Sequence, residues 1–369
     1  MDELETLLAN GRAIPVRRKV AEAKSQAYEI DPLSDPRWPS LLYSCPRSSV
    51  FHGTSWLRTL RNVYGYEPVV LTTSGAGTPL TNGVVFCRIK SWLTGSRLVS
   101  LPFSDHCEPL VCNAEEFDRL LLAMRRYVNS RIWKYAEIRP VSFEPGPHTA
   151  YGKHMTYCFH RLDLKPSIEQ IFRRFHKDCV QRKIRRAEKE QLRYEEGNSD
   201  ALLQKFYRLM VEMRRRKSLP PQPLKWFQGL VAEFGKDLQI RVASYGDLPV
   251  ASILTLSHKK TMTYKYGCSN VAFNKLGGMP LLFWKTIQDA KAAGYEQLDM
   301  GRSDSDNLGL IAFKDHWGAD ASSLTYWKYP QKSASHSNLW RSRVIKQATS
   351  LAPEAVLRTV GSLLYKHIG

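Results

Sequence analysis

The chain has 369 residues, 43% of them hydrophobic and 11% aromatic, which is enough apolar material for two ordinary cores and excludes a disordered chain. No apolar run approaches the roughly 18–20 residues of a spanning helix, and the acidic N-terminus (MDELETLLANGRAIPVRRKV) is unlike a secretory signal, so a cytoplasmic protein is expected. Fifty-four Lys and Arg against 35 Asp and Glu leave +19, which favours phosphate-bearing or membrane-surface partners without choosing among nucleic acid, lipid headgroup and nucleotide-linked substrate.

Residues 1–34 show no sustained periodicity and are expected to form a flexible arm, with order beginning near Asp35. Trp56, Leu57, Leu60 and Val63 recur at helical spacing between Thr54 or Ser55 and Gly65, which predicts a short helix. Strands are expected at Glu67–Thr72, Val84–Ile89 and Arg97–Leu101, then a helix over 115–128 and a strand over 134–139. Residues 166–193 read as one basic amphipathic helix, whose cationic side is either a solvated face or a phosphate or membrane contact. A helix over Asp200–Arg216 follows, with strands at 238–244, 250–257 and 261–266, a helix over 280–293 and a strand over 296–300.

Both halves thus read helix, strand, strand, strand, helix, strand, the order of an α+β fold used twice. The expected organisation is a first domain over 35–160, a second over 161–330, each a mixed, mostly antiparallel sheet flanked by helices, and a basic amphipathic helical tail over 331–369. The tail is suited either to docking on the first domain or to lying on an anionic membrane at the inner face of the cytoplasmic membrane.

The seven cysteines are scattered with no C-x-x-C pair and read as reduced thiols, so neither a disulfide framework nor a metal site is expected. The chemistry is expected in YEQLDMGRSDSDNLGLIAFKDHWG, Tyr295 to Gly318, where a strand breaks at Gly301 into a polar loop. Asp299 at the strand end is a base candidate or a loop-capping carboxylate, and Arg302 either binds a phosphate or pairs with Asp304 or Asp306. Tyr264 and Tyr266, two apart on a strand, are expected to share a face. Lys275, Gly277 and Gly278 enter a helix N-terminus able to cradle a pyrophosphate, although a plain turn explains them as well. Asp105, His106 and Cys107 suggest a nucleophilic set with no second histidine to support it, and a strand-end loop is the preferred reading.

The strings FHGTSWLRTLRNVYGYEP, RLVSLPFSDHCEPLV, TYKYGCSN, GGMPLLFWKTIQDAKAAGYEQLDMGRSD and FKDHWGA resemble the FemAB-type acyltransferases of the GNAT superfamily, which carry two tandem GNAT-like domains. The wording is most similar to members associated with exopolysaccharide and exosortase loci, and the resemblance covers residues 35–330. It implies an enzyme that forms an amide by moving an acyl or aminoacyl group to an amine on a peptidoglycan or exopolysaccharide precursor. Lys314, in the FK motif, inherits the role of transition-state stabiliser, and Tyr264 and Tyr266 face the substrate cleft. No permanent cofactor is implied; the co-substrate is aminoacyl-tRNA, acyl-CoA or acyl carrier protein, and the partners are a phosphate-bearing envelope precursor, tRNA and an anionic membrane surface. The alternative is a nucleic-acid or membrane-surface binding protein whose GNAT-like fold is not catalytic.

Overall fold

The computed structural model describes residues 26–130, 132–190, 192–331 and 354–368, so most of the expected N-terminal arm and the first part of the tail lie outside the described residues. Strand β1 (Tyr28–Ile30) corrects the arm where it is described: it pairs antiparallel with β2 (Glu67–Thr72), Tyr28 opposite Thr72. The segment is pinned by Asp31, whose carboxylate accepts from Arg61 at 2.9 Å.

The first half continues with α1 (Arg37–Ser44), α2 (Thr54–Tyr64), β3 (Val84–Ile89), β4 (Arg97–Val99), α3 (Ala114–Asn129) and β5 (Ala136–Ile138). Helix α2 stops where predicted because Gly65 takes φ 71° and returns its amide to Arg61 O, a conformation open to glycine. Helix α3 begins at Asn113, whose side chain accepts from Glu116 N, with Glu115 and Glu116 set against the positive end of the dipole. Strand β4 is shorter than predicted, since Leu101 turns to φ 54° and sends the chain away from the sheet.

Strand β6 (Gly152–Asp163) closes the first half, and the second half contains α4 (Ile168–Arg174), α5 (Arg182–Lys189), β7 (Arg193–Gly197), α6 (Asp200–Arg216), α7 (Leu224–Phe234), β8 (Leu238–Tyr245), β9 (Leu248–His258), β10 (Thr261–Ser269), α8 (Gly278–Ala292), β11 (Gln297–Asp304), α9 (Leu308–Asp315) and β12 (Asp320–Tyr329). The single basic helix expected over 166–193 is broken. Phe175 leaves the helical region to insert between Trp284 and Trp317, and a π-helical turn (Lys177–Gln181) restarts the chain before α5. Its apolar spacing survives the break, because both short helices bury the same face.

The twelve strands among the described residues form one sheet, in the order β1-β2-β3-β4-β5-β12-β6-β11-β10-β9-β8-β7. The two halves run outward from a central antiparallel pair, β12 with β6, and each centres on a parallel pair, β4 with β5 and β10 with β11. They also exchange closing strands: β6 pairs with β11 of the second half, while β12 returns to pair with β5 of the first. The tandem GNAT-like arrangement therefore stands, but the boundary predicted between residues 160 and 161 falls inside β6, and the strands of the described residues share one sheet where two were expected. A division by chain position fails because each half is completed by a strand from the other.

One core lies between α1, α2, α6 and α7 and the sheet, and it spans both halves; Trp56 meets Trp226 edge-on at 5.2 Å. A second core lies on the other face beneath α4, α5 and α8, and a third beneath α3. Each fully buried large apolar side chain in these cores contributes roughly 1.5–3 kcal/mol. Helix α10 (Glu354–Ile368) docks across both halves: Tyr66 Oη donates to Tyr365 O at 2.9 Å and Arg97 Nη2 to His367 O at 2.8 Å in the first, and Tyr365 Oη donates to Pro220 O at 3.4 Å in the second. The bonds from Tyr66 and Arg97 satisfy carbonyls that the helix end leaves open. No helix among the described residues is long and apolar enough to cross a membrane.

Candidate active site

Strands β10 and β11 pair only from Thr261 to Thr263 with Gln297 to Asp299, and then part. Each carries a bulge just past the last pair: β10 between Tyr264 and Tyr266 against β9, and β11 between Asp299 and Arg302 against β6. A bulge bends its strand and re-aims the side chains around it, so two bulges side by side open a gap at the carboxyl ends of parallel strands. The polar loop expected after Gly301 is instead a continuation of β11 to Asp304, with Gly301 at φ 70° forming the irregular step.

The loop after β4 inserts into this gap. Half-buried Arg139 shapes it by donating to Leu101 O and Ser104 O at 2.8 and 2.9 Å, and is neutralised by Glu137 at 2.9 Å. Asp105 lies against Gly301: a Cβ on that glycine would sit 3.1 Å from Asp105 Oδ2. Burial pushes the Asp105 carboxyl up, but Lys265 at 2.9 Å and Arg302 at 3.9 Å, with Lys314 behind them, hold it below the usual carboxylate range. His106 Nε2 meets Asp299 Oδ2 at 2.8 Å, and Asp299 Oδ1 accepts from Gly301 N at 2.8 Å. Because the carboxylate accepts, the hydrogen-bond pattern assigns the imidazole proton to Nε2 and leaves the lone pair on Nδ1. That nitrogen is buried with no hydrogen-bond partner among the described residues.

His106 and Asp299 line a cleft of about 210 Å³ between the halves, together with Arg47, Ser48, Glu108, Arg161, His258 and Gln297. Cys107 does not join them. Its thiol turns into the first-half core, where burial pushes it up to about 12, and no nucleophile is presented.

Lys314 is 2% exposed and donates to Gly301 O and Arg302 O at 2.8 and 3.1 Å, so it holds the β11 bulge from behind. Burial lowers its pKa to about 8, against the pull of Asp105 and Asp299. Arg302 stacks on Tyr157 at 3.9 Å and reaches towards both Asp105 and Asp304, so it and Lys314 meet around the bulge.

The two tyrosines do not share a face. The β10 bulge shifts the alternation by one, which turns Tyr264 into the second core against Phe283 and Tyr266 into the first, where its hydroxyl accepts from Trp226 Nε1 at 2.9 Å. The two tyrosines therefore do not both face one cleft. The glycines before α8 are likewise used for packing: a Cβ on Gly277 would meet Lys183 O at 2.7 Å, and one on Gly278 would press on Ala251. Their flat faces are covered by α5 and β9, which does not fit the open pyrophosphate cradle expected there; Lys275 beside them is exposed.

In the sequence His106 has no second histidine to support it, and its actual partner, Asp299, lies 193 residues away in the other half. Lys265 was missed for the same reason. The available signal was the PFSDH string directly after a strand.

No curated protein sequence matches the chain. Residues 174–315 match the family described as Acetyltransferase (GNAT) domain. Among solved structures, FemX is similar at TM-score 0.65 and 13% identity, covering 82% of this chain and 97% of its own. A tandem GNAT protein from the clavulanic acid biosynthesis pathway reaches TM-score 0.50 at 9% identity, covering 82% and 97%. The C-terminal domain of a putative lysylphosphatidylglycerol synthetase from Agrobacterium fabrum reaches TM-score 0.50 at 12% identity, covering 85% and 94%. Residues 174–315 are thus similar to the GNAT acetyltransferase family, and the fold as a whole is similar to the tandem GNAT-like arrangement of FemX.

Proposed function

We propose that this acyltransferase forms an amide, moving an acyl or aminoacyl group onto an amine of a cell-envelope precursor. The observation that carries the reading is the His106–Asp299 pair on the wall of the inter-half cleft, with the imidazole Nδ1 buried and left without a hydrogen-bond partner among the described residues. An acceptor amine is protonated in water and becomes a nucleophile only after losing that proton, which His106 Nδ1 is set to take while Asp299 stabilises the imidazolium. The amine then attacks the donor carbonyl, the adduct nitrogen releases its extra proton to solvent, and the tetrahedral oxyanion collapses by expelling the donor's oxygen or sulfur, which takes up the proton held on His106. Lys314 uses two of its N–H groups on Gly301 O and Arg302 O, and its third is assigned to that oxyanion.

The likeness to FemX and to a lysylphosphatidylglycerol synthetase supports an envelope acceptor and an aminoacyl donor, while the GNAT domain supports acyl-CoA. The +19 charge suits either phosphate-bearing donor. Arg47 and Arg161, on the cleft lining, are the groups we assign to an acceptor phosphate or carboxylate. The test incubates the purified protein with charged tRNA, and separately with acyl-CoA or acyl carrier protein, in the presence of envelope precursors, and seeks an acylated amine by mass spectrometry. Product from any donor that disappears in His106→Ala supports the reading; product formed equally well by His106→Ala overturns it.

A further inference from the structure

The turn between α4 and α5 carries His176 and Cys179, three residues apart, and the end of α9 brings His316 beside them. One ligand atom from each, two imidazole nitrogens and a sulfur, all lie within 4.8 Å of one another. The two rings lie 4.6 Å apart between centroids, tilted by 59°, and the backbone holds them near one another because His176 N donates to His316 O at 2.8 Å. Neither the Cys179 thiol nor the His316 ring has a hydrogen-bond partner among the described residues. Cys179 sits in a π-helical turn, an irregularity that inserts a residue and redirects the side chains around it.

From this we propose that His176, Cys179 and His316 form a binding site for a borderline-soft divalent metal ion, best matched by Zn²⁺. Two neutral imidazoles and one thiolate select such ions over Mg²⁺ or Ca²⁺, which demand oxygen ligands. Tetrahedral zinc with Zn–N of about 2.0–2.1 Å and Zn–S of about 2.3 Å places ligand atoms about 3.5 Å apart, so the three must close by roughly 1 Å. We assign that closure to side-chain rotation, since His176 is exposed and Cys179 and His316 are half-buried. As the Zn–S bond forms, the thiol proton is released to solvent. His176 Nδ1 accepts from Asp178 N and Cys179 N at 3.2 Å each, so ligation by either ring nitrogen gives up two contacts at the weak end of the hydrogen-bond range. Three protein ligands leave the fourth position to water.

The ion would tie the start of the basic α5 to the end of the helix that carries Lys314, two elements whose joining within the cluster is otherwise a single backbone hydrogen bond. It lies outside the cleft lining and is independent of the acyl-transfer reading.

The test titrates the chelator-stripped full chain with Co²⁺, a spectroscopic stand-in for zinc. The expected result is one equivalent bound, a thiolate-to-cobalt charge-transfer band, and displacement by Zn²⁺. Cys179→Ser should abolish the band and His316→Gln should weaken binding at least tenfold, whereas Cys158→Ser, which alters a neighbouring thiol 3.7 Å from His160, should leave both unchanged. A measurement needing no variant is alkylation of the native chain, in which Zn²⁺ should protect the peptide holding Cys179. Absence of stoichiometric binding, a band that persists in Cys179→Ser, or unprotected Cys179 in the presence of Zn²⁺ would each overturn the proposal.

Discussion

The two halves each contain a parallel strand pair, and they use it differently. In the first half, β4 and β5 pair at Leu98–Ala136 and Val99–Glu137, after which the chain leaves at Leu101 and the gap is filled by Arg139 and Glu137. In the second half, β10 and β11 part at two bulges, and the gap receives Asp105, Lys265, Gly301 and Lys314. The first half therefore supplies a rigid loop, and the second supplies the opening into which it fits. A duplicated fold needs only one open site, and the other copy is free to become its wall.

The largest effect that would sharpen this contrast is on turnover. His106→Ala removes the base that the first half inserts, and kcat should fall by on the order of a thousandfold with unfolding unchanged in a denaturant titration. His52→Gln, at a buried first-half histidine that contacts Glu108 O at 2.8 Å, should alter stability and leave the chemical step alone; equal losses of kcat in the two variants would break the comparison.

Lys314 comes next. Removing one oxyanion donor costs on the order of a hundredfold in kcat, so Lys314→Ala should lose that much with little change in acceptor binding, and Lys314→Arg should recover only part of it. The same lysine gives a pH test. Its folded pKa of about 8 lies below its ordinary 10.5, so the folded chain binds fewer protons than the unfolded one between those values. Its contribution to stability is full above about pH 10.5 and is lost as pH falls to about 8, a change on the order of 3 kcal/mol. Lys314→Met should flatten that part of the stability curve relative to wild type, as read by urea unfolding; an unchanged slope would show that Lys314 is not the group responsible.

A smaller difference separates two glycines at similar φ. Gly65, at φ 71° with open space around it, should lose about 1 kcal/mol on substitution by Ala, from backbone strain alone. Gly301→Ala adds contact with the Asp105 carboxylate at 3.1 Å, so it should lose roughly 1 kcal/mol more and should also lower activity. Equal losses in thermal unfolding would mean that the inserted loop yields easily.

The smallest effects belong to the tyrosines. Tyr266→Phe leaves Trp226 Nε1 unpaired and should cost about 1–2 kcal/mol in stability, while Tyr264→Phe should cost under about 0.5 kcal/mol. Neither should change kcat, and a large kcat effect from either would return it to the site.

Several elements were readable from local pattern alone. Helix α2 with its Gly65 stop, strands β2 and β3, and helix α6 lie where periodicity and caps put them, because burial of one face and satisfaction of helix ends are decided within a few residues. Lys314 and Arg302 also emerged near one another, since only the length of α9 separates them. Strands β6 and β12 were missed. Their length is set by partners on both sides, and much of β6 is only half-buried, so neither shows a clean alternation of its own.

What the sequence by itself determined is the order of elements in each half, the basic charge and the family resemblance, all of which follow from local residue pattern. Only the tertiary structure decided that the halves exchange closing strands, that a one-residue bulge turns Tyr264 and Tyr266 to opposite faces, and that His106 finds Asp299. Those outcomes depend on register and on contacts between distant segments. A shift of one residue reverses every side chain beyond it, and local pattern carries no record of which distant group fills the gap.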